Sequence, residues 1–97
     1  MRKTLVEINK TYLFGLREII SKDIDKAKVI FSLPTALCEA IESRTCLEID
    51  NLCEHLSVPF ASTSKLNQTE KENVAAEFNN QQSIEELAHI INMKLMG

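Results

Sequence analysis

The chain has no tryptophan, one tyrosine, two glycines and two prolines among its 97 residues. So few turn-makers exclude a barrel or sandwich of many short strands. Three cysteines, Cys38, Cys46 and Cys53, form no C-x-x-C pair, which argues against both a disulfide framework and a zinc knuckle. No apolar run approaches the ~18–20 residues of a membrane span. After Met1-Arg2-Lys3, the residues Glu7, Asn9 and Lys10 interrupt the apolar stretch that a secretory leader needs, so a cytoplasmic, reduced protein without membrane contact is expected. Asn9-Lys10-Thr11 and Asn67-Gln68-Thr69 fit the glycosylation sequon, which carries no meaning without secretion.

The motifs of an enzyme are also missing. There is no G-x-x-x-x-G-K-[ST], G-x-G-x-x-G or G-x-S-x-G. Cys53 and His55 are two residues apart, so on a helix they point to different sides and form no nucleophile–base pair. Cys46, Asp50, Cys53 and His89 lack the spacing of metal ligands. The cysteines are expected as small core hydrophobes and the two histidines as surface or boundary residues. No catalytic residue and no cofactor are assigned.

What is present is hydrophobic content of 44%, enough for a core, and charge of uneven placement. The net charge of −3 excludes a protein that holds nucleic acid mainly through its own phosphate contacts. Residues 1–28 hold seven basic against four acidic residues (+3), and residues 29–97 hold four against ten (−6). A basic end and an acidic remainder suit a nucleic-acid or basic-protein partnership, or simply a mixed soluble surface.

Helix starts punctuate the chain. Ser or Thr followed three residues later by Glu is the capping box, in which each side chain satisfies a backbone N–H at the helix end. It occurs at Thr4…Glu7, Thr45…Glu48, Thr69…Glu72 and Ser83…Glu86. Pro34 marks a further start, since proline is tolerated in a first turn. Helices are expected over about 5–21, 23–31, 34–43, 46–56, 70–79 and 84–96. The fold class is all-α, a single domain built as a small bundle of about five to six helices.

On the first helix, Leu5, Val6, Ile8, Tyr12, Leu13, Leu16, Ile19 and Ile20 span an arc of roughly 160°, wider than the ~100° of an ordinary surface helix. Asn9 lies inside that arc and Phe14 alone on the opposite, charged face. Either one helix is deeply buried in its own bundle, or the arc serves both the core and a second subunit. A dimer through this helix would use Ile8, Tyr12, Leu13, Leu16 and Ile19, with Phe14 covered by another element of the partner. Residues 45–66 have the rhythm of a helix-turn-helix, with 60–66 as the reading helix. Its exposed residues would be Ser62, Thr63, Ser64, Lys65 and Asn67, offering hydroxyls and amides but one charge. The last helix carries Ile84, Leu87, Ala88, Ile91 and Leu95 on one apolar stripe.

In residue order, 5–60 resemble the FlhD family, subunits of the flagellar master transcriptional activator. The resemblance rests on Leu5-Val6-Glu7-Ile8-Asn9-Lys10-Thr11-Tyr12-Leu13, on Arg17-Glu18-Ile19-Ile20, on Asp25 to Leu33 and, by position, on Leu47 to Glu54. More weakly, Ser83-Ile84-Glu85-Glu86-Leu87 through Met96 is similar to a later, activity-sensitive helix of that family. The resemblance implies a subunit that dimerises through its N-terminal helices and joins a larger, zinc-containing FlhC-like partner. The complex would bind promoter DNA and recruit RNA polymerase, with the zinc held by the partner. It also implies partner or DNA contacts on the last helix, at Ile84, Ile91, Asn92 and Lys94. Where some members carry a dimer-bridging cysteine, this chain has Val58-Pro59-Phe60. Similar subunits activate conjugative-transfer genes on mobile elements. A stand-alone helical interaction protein, or an antagonist that sequesters the partner, is the alternative.

Overall fold

The computed structural model describes residues 2–80 and 83–96, and among these there is no strand. Six α-helices follow one another: α1 Arg2–Lys22, α2 Ile24–Phe31, α3 Thr35–Ser43, α4 Cys46–His55, α5 Gln68–Asn80 and α6 Ile84–Met96. A short 3-10 helix, Phe60–Lys65, lies between α4 and α5. The all-α bundle expected from the sequence is therefore the fold.

Its helix starts are partly those of the sequence pattern. Thr45 and Glu48 form the complete box, the Thr hydroxyl accepting from the Glu48 amide at 3.1 Å and the Glu carboxylate from the Thr45 amide at 3.0 Å. The Glu48 carboxyl is held below the usual carboxylate range, by the backbone bond from Thr45 first and the Arg44 guanidinium after it. Thr4, by contrast, falls inside α1, which begins at Arg2. The box expected at Thr69 forms two residues earlier, where Asn67 and Glu70 exchange the same pair of bonds. Asparagine is as good a cap as threonine, so the first available oxygen acceptor takes the helix end. Ser83 makes half a box, accepting from the Glu86 amide at 3.4 Å. At α2 the cap is Asp23, whose carboxylate accepts from the Lys26 amide.

The core is one cluster drawn from every element. Leu13 and Leu16 of α1, Leu37 and Ile41 of α3, Ile49 and Leu52 of α4, Phe78 of α5, and Leu87 and Ile91 of α6 are all buried. α3 lies mainly against α5, α1 against α2 and α4, and α4 also carries α6. The radius of gyration, 12.1 Å, matches the ~12.5 Å expected of a folded 97-residue chain. The single chain thus closes its own core.

One buried and two partly buried cations sew the bundle together. Lys71, on α5, is almost fully buried, and its ammonium donates to the Ser32 carbonyl at the C-terminal end of α2. Ser32 has φ 55°, the left-handed conformation that ends helices and that residues other than glycine rarely adopt. A cation on the exposed carbonyls of a helix end is favourable twice, as a donor and against the helix dipole. The partly buried pair form a relay. Arg17 of α1 donates to the Arg44 carbonyl at 2.6 Å, while Arg44 pairs with Glu48 at 2.9 Å and donates to the Phe78 carbonyl.

Candidate interaction surfaces

Of the six residues expected at a dimer interface, two lie elsewhere. Leu13 and Leu16 are fully buried in the chain's own core, which corrects their assignment to a second subunit's surface. The wide arc is explained instead by α1 being packed on α2, α3 and α4 together. Ile8 remains 51% exposed. Tyr12, Phe14 and Ile19 are half-buried at the edge of the core. The Tyr12 ring meets Phe31 edge-on at 5.4 Å and Phe60 at 6.1 Å. Burial pushes the Tyr12 phenol up, and a hydrogen bond with Thr63 partly offsets it. Phe14 borders a shallow hollow with Arg17, Glu18, Ser21, Glu42 and Cys46.

α2 carries more exposed apolar surface than its pattern suggested. Val29 is 80% and Ile30 55% exposed, while only Ala27 of this helix is fully buried.

The segment 60–66 is not an α-helix presented for reading. Phe60–Lys65 form a six-residue 3-10 helix, and Thr63 is buried, correcting its placement among exposed readers. The hydroxyls of Thr63 and Ser64 donate to the carbonyls three residues back, Phe60 and Ala61. Asn67 caps α5. Ser62 is half-buried, and Lys65 is exposed.

The α4-to-3-10 connection is held from two sides by asparagines. Asn9, fully buried on α1, donates from Nδ2 to the Val58 carbonyl at 3.0 Å. Its Oδ1 accepts from the Phe60 amide at 2.7 Å. Asn92 on α6 accepts from the Ser57 amide at 2.7 Å and donates to the His55 carbonyl at 3.2 Å. Each amide side chain thus acts as a strand-like backbone partner for a segment with no strand to pair with. Asn9 was visible in the sequence as a polar residue inside an apolar arc, but its role was not inferred.

On α6, Ile91 is fully buried, which corrects its assignment as a partner or DNA contact. Ile84 is half-buried against the core. Asn92 is occupied by the loop, as just described, so it does not stand free for a partner. Lys94 is exposed and borders a hollow with Leu66, Glu70 and Asn73. The outward face of α6 belongs to other residues. Met93 and Met96 are 61% and 69% exposed, beside exposed Glu86 and His89 and half-buried Ile90. The missed signal was the stripe's complement: Met93 lies opposite Ile84 and Leu95 on the wheel.

The cysteines divide. Cys38 and Cys53 are buried, and burial raises both thiols, Cys53 to about 11. Cys46 is exposed, correcting its assignment to the core, and its Sγ accepts from Arg17 Nη1 at 3.2 Å. His55 and His89 are both exposed, with His55 3.9 Å from the Glu85 carboxylate. Lys10 bridges Asp50 and Glu54 of α4, each at 3.0 Å, and the two carboxylates raise its ammonium, Glu54 first. Among the described residues no three His, Cys, Asp or Glu stand together as a metal site. No described helix is long and apolar enough to cross a membrane.

No family model, no curated protein and no solved structure matches the chain.

Proposed function

We propose that this chain is a regulatory, non-enzymatic subunit of a heteromeric transcriptional activator, cytoplasmic and dimeric through α1. In this reading it joins a zinc-containing FlhC-like partner, and the complex binds promoter DNA and engages RNA polymerase. The observation that carries it is the set of large apolar side chains left exposed around one small, self-sufficient core: Ile8 of α1, Val29 and Ile30 of α2, Leu47 of α4, and Met93 and Met96 of α6. Exposed apolar side chains on this many helices suit a subunit with protein neighbours. Ile8, Asn9, Tyr12 and Leu13, the specific part of the family resemblance, also have distinct places here: an exposed apolar side chain, a loop clamp, an aromatic bridge and a core residue.

DNA contact belongs mainly to the partner in this scheme, because the 60–67 segment offers one free cation, Lys65, and turns the Thr63 and Ser64 hydroxyls onto its own backbone. The same observation favours a second reading, an antagonist that occupies the partner and keeps it from DNA. Co-expression with an FlhC-like chain, followed by promoter binding of each alone and of both, separates the two. Tighter promoter binding by the pair supports the activator. Complex formation that abolishes promoter occupancy supports the antagonist, and absence of any complex overturns both.

A further inference from the structure

Gly15 stands in the interior of the 21-residue helix α1. A glycine there destabilises a helix by about 1 kcal/mol relative to alanine, so its presence calls for a cause. The two usual causes are absent. Its backbone is not left-handed. Nor does the fold approach it: a Cβ built on Gly15 would meet nothing within 4 Å. Gly15 is exposed and falls on a stripe with Ile8, Tyr12 and Ile19, at spacings of four, three and four. That is the spacing of a helix–helix seam, and a residue without a side chain at its middle lets two helix backbones come close.

We propose that Gly15 is the point at which α1 of two copies of this chain cross, antiparallel, about a two-fold axis. The proposal rests on the dimeric reading above and deepens it. Charge selects both the occupant and its direction. In an antiparallel crossing at Gly15, residues equally far before and after it face each other. Lys22 then lies opposite Ile8 and next to Glu7 of the other copy, twice by symmetry. Ile19 lies beside Thr11 and Tyr12. A parallel pair would set Glu7 against Glu7, which repel, and would leave Lys22 on the Glu18 of its own helix, 3.2 Å away, with no opposite charge across the seam. α2, the helix packed on α1, also exposes Val29 and Ile30. The contact is isologous, so it closes at two copies.

Sedimentation equilibrium on the full chain tests the crossing. Gly15→Leu enters open space in the single chain, so its circular dichroism and unfolding midpoint at high dilution should match or exceed those of the wild type. Its dimer dissociation constant should rise about 10- to 100-fold, the range of an overpacked contact. Glu7→Lys should weaken the dimer several-fold at low salt, and Glu7→Lys with Lys22→Glu should restore it. A Gly15→Leu dimer as tight as the wild type, or a charge swap without rescue, overturns the crossing while leaving a dimer through another surface standing. A wild type that is monomeric at tens of micromolar overturns both the crossing and the dimeric reading.

Discussion

Replacing Asn9 by leucine should destabilise the protein, although leucine is the more apolar residue at a fully buried site on an apolar arc. The reason is what the substitution strands. Asn9 bonds the Val58 carbonyl at 3.0 Å and the Phe60 amide at 2.7 Å. With leucine in its place neither backbone group keeps that partner, and an unsatisfied buried polar group costs about 1–3 kcal/mol. The Phe60 amide is buried and the Val58 carbonyl partly so, which together give about 2–5 kcal/mol. Burying the leucine side chain returns at most roughly 1.5–3 kcal/mol, and less if its branched end crowds the loop. The net expectation is a loss of about 1–3 kcal/mol, a large share of the 5–15 kcal/mol typical of a whole domain. Asn9→Ala, which strands both groups and fills nothing, should lose more. Urea unfolding followed by circular dichroism measures the loss, and hydrogen exchange at the Phe60 amide locates it. An Asn9→Leu protein at least as stable as the wild type, with the Phe60 amide equally protected, would refute the clamp.

Other expectations are briefer. Leu16→Asp should unfold the monomer, whereas Ile8→Asp should leave it folded and affect only assembly, as gel filtration with circular dichroism would report. Lys71→Met keeps the stem of the side chain but leaves the Ser32 carbonyl without its donor, so unfolding should become easier by about 1–3 kcal/mol. Alkylation of the native protein at neutral pH should modify Cys46 alone, with Cys38 and Cys53 reacting only after denaturant is added; mass spectrometry counts the adducts. Glu48 is held low in the folded state. Its stabilising contribution is therefore present above its unfolded value of about 4.3 and disappears as pH falls through the lower folded one. Glu48→Gln should flatten that acid limb, and carboxyl NMR titration should place the Glu48 midpoint below that of a free glutamate.

The sequence was most legible where the physics is local. Six helices could be read from period and caps because both signals span only four to eleven residues. The errors came from choices between near-equal local partners, as when Asn67 rather than Thr69 caps α5. Surface assignment was less legible. The wide arc of α1 fitted either a crowded interior or a second subunit, and only the packing of α2, α3 and α4 around it places Leu13 and Leu16 inside. On α6 the apolar stripe marks Leu87, Ala88 and Ile91, and all three are buried, so Ile91 belongs to the core and not to a contact surface. Asn92 is drawn in by the backbone around Ser57, 35 residues away, and no periodicity encodes such a pairing. Asn9, 51 residues from Phe60, is the same case.

The two asparagines set an electrical contrast within the bundle. The seam between α1 and α4 is tied on the outside by Lys10 with Asp50 and Glu54, partners whose attraction fades as salt accumulates. The segment between α4 and the 3-10 helix is tied by carboxamides, which carry no charge and do not titrate. Ionic strength and acidity can therefore loosen the outer seam while the segment from His55 to Phe60 keeps its registration to both α1 and α6. A joint of this kind holds the relative placement of the first and last helices constant through changes of medium that alter what their surfaces attract.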